Sequence, residues 1–153
     1  MRQPQRLPTA RDLMTTSLLT FRPEQPLLEA LTALLRHGVS GAPVVGESGR
    51  LVGILSELDC LRMLASDEFY QGDPEMGARV EQFMTRGGRT VPPTLGIYAL
   101  AHYFLTTPIR RLPVVEDGCL LGQVSRRDVL RGMEAMSLGR SSRKRYPDYV
   151  QPA

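Results

Sequence analysis

The sequence predicts an α+β fold in which two β-α-β-β-α repeats pack about a pseudo-twofold axis into one compact module. Residue identities recur at a fixed offset. An amphipathic helical stripe recurs at the same offset. Each copy then carries two short apolar runs separated by a glycine-containing turn. Such a unit leaves a sheet face and a helix face uncovered, and two copies packed together bury both.

The offset is 70 residues from Asp12 to Val45. Met14-Thr15 falls on Met84-Thr85, Thr20 on Thr90, Pro23 on Pro93, and Pro43-Val44-Val45 on Pro113-Val114-Val115. One residue is lost in the following turn, and the offset becomes 69. Glu47, Gly49, Leu51, Gly53, Ser56, Asp59, Leu61 and Arg62 then fall on Glu116, Gly118, Leu120, Gly122, Ser125, Asp128, Leu130 and Arg131. A deletion inside a surface turn is what a duplicated fold tolerates.

Each copy begins with a short helical lead-in, Ala10 to Met14 or Ala78 to Met84. A brief strand follows at Leu18 to Phe21 or Arg89 to Val91, and prolines end it. The amphipathic helix comes next. Leu27, Leu28, Leu31, Leu34 and Leu35 share one stripe, and Ile97, Tyr98, Ala101, Phe104 and Leu105 occupy the same positions in the second copy. Gly38 suits the end of the first of these helices because glycine accepts the left-handed conformation; Thr107-Pro108 stops the second. Ala42 to Val45 and Leu51 to Leu55 read as a hairpin, as do Leu112 to Val115 and Leu120 to Val124. A last helix opens at Ser56 or Ser125. The predicted organisation is repeat 1 over 7–66, a linker over 67–77, repeat 2 over 78–136 and a basic flexible tail over 137–153.

The chain has 153 residues and 42% apolar residues, which suits one folded module. No apolar run reaches the ~18 residues that span a bilayer. The first ten residues lack the apolar stretch of a secretory signal, so a cytoplasmic location is expected. Cys60 and Cys119 are too few for a disulfide framework and lack zinc-site spacing. His37 and His102 fit no HExxH or triad pattern, and Arg86-Gly-Gly-Arg89 lacks the ending of a phosphate-binding P-loop. No enzyme, catalytic cofactor or metal site is therefore expected. The net charge of +3 arises in the tail, where Arg140, Arg143, Lys144 and Arg145 face only Asp148. Nucleic-acid binding is unexpected except weakly through those four residues.

The segments Val39-Ser-Gly-Ala-Pro-Val-Val45, Gly49-Arg-Leu-Val-Gly-Ile-Leu-Ser56 and Asp59 resemble the CBS (cystathionine-β-synthase-type) domain. So do Ile109-Arg-Arg-Leu-Pro-Val-Val115, Gly118-Cys-Leu-Leu-Gly-Gln-Val-Ser125 and Asp128. The resemblance covers about Asp12 to Met136 and implies a regulatory module that senses an adenosyl nucleotide such as AMP, ADP, ATP or S-adenosylmethionine. It implies two clefts, each drawing on both copies. The first would use Thr20, Val39, Ser40, Ser125, Arg126 and Asp128. The second would use Ser56, Asp59, Thr90, Ile109 and Arg110, with Arg111 nearby.

The chemistry at Ser125-Arg-Arg-Asp128 is consistent with that role. A helix start offers free N–H groups and positive potential to a phosphate, Arg126 adds a charge, and the Asp128 carboxylate can accept ribose hydroxyls. Ser-x-x-Asp is equally a plain capping arrangement, and the two roles are compatible. Glu57 follows Ser56 where Arg126 follows Ser125, so the Asp128 cleft is expected to be the better site. The alternative is a ligand-free dimerisation or docking module. The resemblance implies a homodimer through helices bearing Leu58, Leu61, Met63, Leu64, Val129, Leu130, Met133 and Met136, and an unidentified regulated protein reached in trans.

Overall fold

The computed structural model describes residues 6–66 and 77–141. Residues 67 to 76 of the linker expected over 67–77, and the tail residues Arg143, Lys144 and Arg145, lie outside the described residues. The elements are α1 (Ala10–Leu13), α2 (Leu27–His37), β1 (Gly41–Val45), β2 (Leu51–Ser56), α3 (Glu57–Leu64), α4 (Val80–Phe83), α5 (Ile97–Thr106), β3 (Arg111–Glu116), β4 (Cys119–Ser125) and α6 (Arg126–Ser141). α6 runs to Ser141, so helix continues past 136, where the tail was expected to begin.

Local chemistry explains most boundaries. Gly38 ends α2 with φ 63° and ψ 33°, and its N–H reaches the Leu34 and Leu35 carbonyls. That left-handed geometry suits a residue without a Cβ. Asp117 and Gly118 both have positive φ between the paired Glu116 and Cys119, the two-residue turn that matches strand twist. Both hairpins are antiparallel, and each shifts register beside its second valine, between Val44 and Val45 or between Val114 and Val115.

The expected brief strands are single-residue bridges instead. Phe21 donates to the Pro43 carbonyl and accepts from Val45, lying parallel to Val44; Val91 does the same against Pro113 and Val115. The prolines two residues later, Pro23 and Pro93, sit in turns that take the chain off the sheet.

The lead-ins cross between copies. Thr15 exchanges two backbone hydrogen bonds with Gln123 in β4, at 2.9 and 3.0 Å. Thr85 exchanges two with Ile54 in β2, both at 2.9 Å. Ala10 lies in one core with Leu100, Leu112, Val114 and Val124, with Leu13 and Met14 packed against it. Val80 lies in the other with Leu34, Val44 and Leu55, with Phe83 and Met84 against it. Each hydrophobic core is thus built from one copy and the other copy's lead-in.

This crossing explains two glycines. A Cβ on Gly122 would stand 2.8 Å from both the Met14 sulfur and the Thr15 carbonyl oxygen. A Cβ on Gly53 would stand 2.9 Å from the Met84 sulfur and the Thr85 oxygen. The hairpin tips also meet, with Leu51 N–H donating to the Gly118 carbonyl at 3.0 Å.

Candidate functional site

Ser56 and Ser125 end β2 and β4 where the next helix begins. Ser56 has extended backbone, φ −112° and ψ 168°, as an N-cap residue does. Its hydroxyl accepts from Asp59 N–H at 3.2 Å, while its own N–H and O–H donate to Asp59 Oδ2, both at 2.9 Å. Ser125 and Asp128 repeat this with 3.2, 2.8 and 2.9 Å. The capping arrangement therefore exists in both copies. Each serine has one hydroxyl proton, and it already faces the aspartate rather than the cleft.

The remaining oxygen of each aspartate meets residues that the sequence did not single out for the site. Asp59 Oδ1 accepts from Arg62 at 2.7 Å and from the Thr85 hydroxyl, on the crossed lead-in, at 3.1 Å. Asp128 Oδ1 faces Arg131 at 3.3 Å and the Thr15 hydroxyl at 3.5 Å. The signal was in the repeat: Thr15/Thr85 and Arg62/Arg131 are duplicated identities for which the hydrophobic pattern offers no use. Both carboxylates are buried, Asp59 at 2% exposure and Asp128 at 7%.

A cavity of about 240 Å³ opens between the two sheets. Ser40, Gly41, Ala42, Pro43, Ile54 and Ser56 line it from the first copy, and Arg110, Arg111, Pro113 and Gln123 from the second. A smaller cavity of about 120 Å³ shares Ile54 and Pro113 with it and is bordered by Gly87, Gly88, Arg89 and Thr90. Arg89 also stacks over Tyr103, 5.5 Å from the ring centroid. The larger cavity thus brings together Ser40, expected in the first cleft, and Ser56 and Arg110, expected in the second. Thr20, Val39, Ser125, Arg126 and Asp128 line neither of these two cavities. Thr20 and Arg126 are exposed, whereas Val39 and Ile109 are half-buried against opposite cores. Asp59 sits behind Ser56. The Glu57 N–H donates to the Ser40 carbonyl at 2.8 Å, which fixes the start of α3 against that wall.

Arg110 and Arg111 are exposed, and neither takes part in an ion pair among the described residues. Two guanidiniums at the mouth of a polar-edged cavity suit an anionic group. On the buried face of α3, burial pushes the Cys60 thiol above its ordinary range, and the charges of Asp59 and Glu57 push the same way. Among the described residues no cluster of histidine, cysteine, aspartate or glutamate is placed to hold a metal ion. No described helix is long and apolar enough to cross a membrane.

Two hairpin-and-helix units, joined by crossed lead-ins and each starting its last helix with Ser-x-x-Asp, define a tandem repeat module. The CBS domain family matches residues 10–66 and 80–135, and the chain belongs to that family. It is 30% identical over 122 residues to the CBS domain-containing protein YhcV of Bacillus subtilis, covering 79% of this chain and 82% of that protein. It is also 30% identical over 124 residues to the A-adding tRNA nucleotidyltransferase of Aquifex aeolicus, covering 81% of this chain and 14% of that enzyme. The chain therefore spans a small part of the latter. Its fold is similar to the crystal structure of CBSX2 of Arabidopsis thaliana in complex with AMP. The TM-score is 0.72 and the identity 30%, over 85% of this chain and 98% of that one.

Proposed function

We propose that this chain is a regulatory module that binds an adenosyl nucleotide between its two CBS repeats and signals by a change of conformation or association. The observation that carries the proposal is the Ser56-x-x-Asp59 helix start beside a cavity lined by Arg110 and Arg111, with the same helix start repeated at Ser125 and Asp128. The likeness to CBSX2, whose structure contains AMP, supports it. In this reading the aspartates meet ribose hydroxyls, the helix starts and arginines meet phosphate, and the sheet edges at Ala42, Pro43 and Ile54 hold the base.

The first cleft comprises Thr20, Val39, Ser40, Ser125, Arg126 and Asp128. The second comprises Ser56, Asp59, Thr90, Ile109 and Arg110. The Asp128 cleft is the preferred one because Arg126 attracts phosphate where Glu57 repels it. Arg110 and Arg111 work in the opposite direction, beside Ser56. The test is a thermal-shift series with AMP, ADP, ATP and S-adenosylmethionine. A ligand at a hundred times its Kd adds about 2.7 kcal/mol to a folded state that alone binds it. For a chain of this length that is roughly 5–10 °C in midpoint.

A second reading, a docking or dimerisation module with unfilled clefts, is favoured by one observation. Leu58, Leu61, Leu64, Leu130 and Met133 on α3 and α6 are all more than half exposed. Met63 and Val129, expected on the same faces, are core residues. A flat thermal response to all four ligands, with a dimer in sedimentation, supports the second reading over the first.

A further inference from the structure

The two repeats are alike in sequence around their aspartates, yet the carboxylates are engaged unequally. A carboxylate offers about four acceptor positions. At Asp59 all four are taken by short contacts, two from Ser56 at 2.9 Å, one from Arg62 at 2.7 Å and one from Thr85 at 3.1 Å. At Asp128 the two contacts from Ser125 are equally short, but those from Arg131 and Thr15 stretch to 3.3 and 3.5 Å. The last two lie at or beyond the outer limit of useful hydrogen-bond geometry.

The two donors on Oδ1 differ in how readily they give way. Arg62 and Arg131 have side chains 67% and 72% exposed, so each can swing into water. The threonines belong to crossed lead-ins. The two are anchored alike, Thr85 by two backbone bonds to Ile54 with Val80 fully buried and Thr15 by two to Gln123 with Ala10 fully buried, so the difference lies in the hydroxyl contacts, 3.1 Å against 3.5 Å. A ribose diol donates twice and needs two acceptor positions. At Asp128 the two long contacts yield both. At Asp59 the arginine yields one, and the second is freed only by breaking the 3.1 Å Thr85 contact.

We infer that the crossed threonines rank the two clefts: Thr85 closes the Asp59 carboxylate to a ligand diol, and Thr15 leaves acceptor capacity on the Asp128 carboxylate. Thr85 is thus a specificity-determining positioning residue. The inference deepens the nucleotide reading and rests on it for the ligand. Its regulatory consequence is a two-step response. Ligand fills the Asp128 cleft first, and filling the Asp59 cleft requires the Thr85 contact to break.

The test has two arms on the full chain, using Thr85→Val and Thr15→Val, which keep side-chain shape and remove the hydroxyl donor. In the first arm no ligand is present. Unfolding midpoints are compared in the cycles T85V with D59N and T15V with D128N. The midpoint losses are expected to be non-additive for Thr85 with Asp59 and additive for Thr15 with Asp128. In the second arm AMP is titrated calorimetrically. The wild type shows one stronger and one weaker site; T85V strengthens the weaker site by about fivefold, and T15V leaves both within about twofold. Additive behaviour in both cycles, or equal coupling in both, overturns the ranking whatever AMP does. So does AMP binding that T85V leaves unchanged. Coupling at Thr85 alone, with no AMP binding to any of the proteins, upholds the ranking and overturns the nucleotide reading instead.

Discussion

Replacing Gly122 by alanine tests the crossed packing of each lead-in on the other copy's sheet. The new Cβ would lie 2.8 Å from the Met14 sulfur and 2.8 Å from the Thr15 carbonyl oxygen, where ordinary contacts are 3.4 Å or more. Met14 can rearrange, since methionine is flexible. The Thr15 oxygen is backbone and accepts from Gln123 N–H at 3.0 Å, so relieving the clash breaks the two-bond bridge between Thr15 and Gln123. Two backbone bonds at about 1 kcal/mol each, with about 1–3 kcal/mol of overpacking, are partly offset by the ~0.5–1 kcal/mol that alanine gains over glycine in a strand. The net loss is about 3 kcal/mol, or roughly 6–12 °C in unfolding midpoint for a chain of this size. Gly96→Ala is the control, because its Cβ would meet nothing within 4 Å, and it should lose less than about 1 kcal/mol. The assay is thermal unfolding with hydrogen exchange read at Gln123 and Ile54. G122A should expose the Gln123 amide and leave the Ile54 amide protected. A G122A midpoint within about 2 °C of wild type, or loss of protection at Ile54 instead, would refute the crossed arrangement.

Other expectations follow from the same geometry. Removing the segment before Thr15 should deprotect β3 and β4 in hydrogen exchange and leave β1 and β2 protected; deprotection of the first sheet alone would contradict the core assignments. Asp12 lies below its ordinary carboxylate range of about 3.8 because the Thr9 backbone N–H and hydroxyl donate to it, with Arg6 and Arg11 nearby. Its contribution is present above that value and fades as pH falls through the lower folded one, so D12N should flatten the acid end of the stability profile. A steeper acid loss in D12N would contradict this. A thiol reagent at neutral pH should modify half-exposed Cys119 promptly and Cys60, buried with its thiol held protonated, only slowly; equal rates would place Cys60 at the surface.

How much of this was legible in the sequence depends on the range of the interaction involved. The helix from Leu27, the stop at Gly38 and the turn at Asp117-Gly118 are set by neighbours a few residues apart, and each appears where the pattern placed it. The face that α2 buries is Leu27, Ala30 and Leu34, however, and Leu35 of the expected stripe is exposed. The crossing was not legible. Both copies carry the same Met-Thr and the same strand glycine, so pairing Met14 with Gly53 or with Gly122 looks identical in sequence. Only the geometry that brings the two sheets together distinguishes them. The expected strands at Leu18 to Phe21 and Arg89 to Val91 were overextended because apolar content alone does not keep a segment on a ladder. The basic composition after Met136 reads as a tail, yet arginine, leucine and serine can continue a helix, and α6 continues to Ser141. At the candidate site, Ser56, Asp59, Ser125 and Asp128 were visible from local spacing. Thr15 and Thr85 were not, because each acts on a residue more than two dozen positions away in the other copy.

The most direct test of the central claim is calorimetric titration of AMP into the wild type, D128N and D59N, each first shown to melt cooperatively. The wild type is expected to bind, D128N to bind at least about tenfold more weakly because a charged acceptor of the ribose is lost, and D59N to change less. The reverse order would contradict the preference for the Asp128 cleft. No heat of binding to the wild type by AMP, ADP, ATP or S-adenosylmethionine would contradict the nucleotide-sensing function itself.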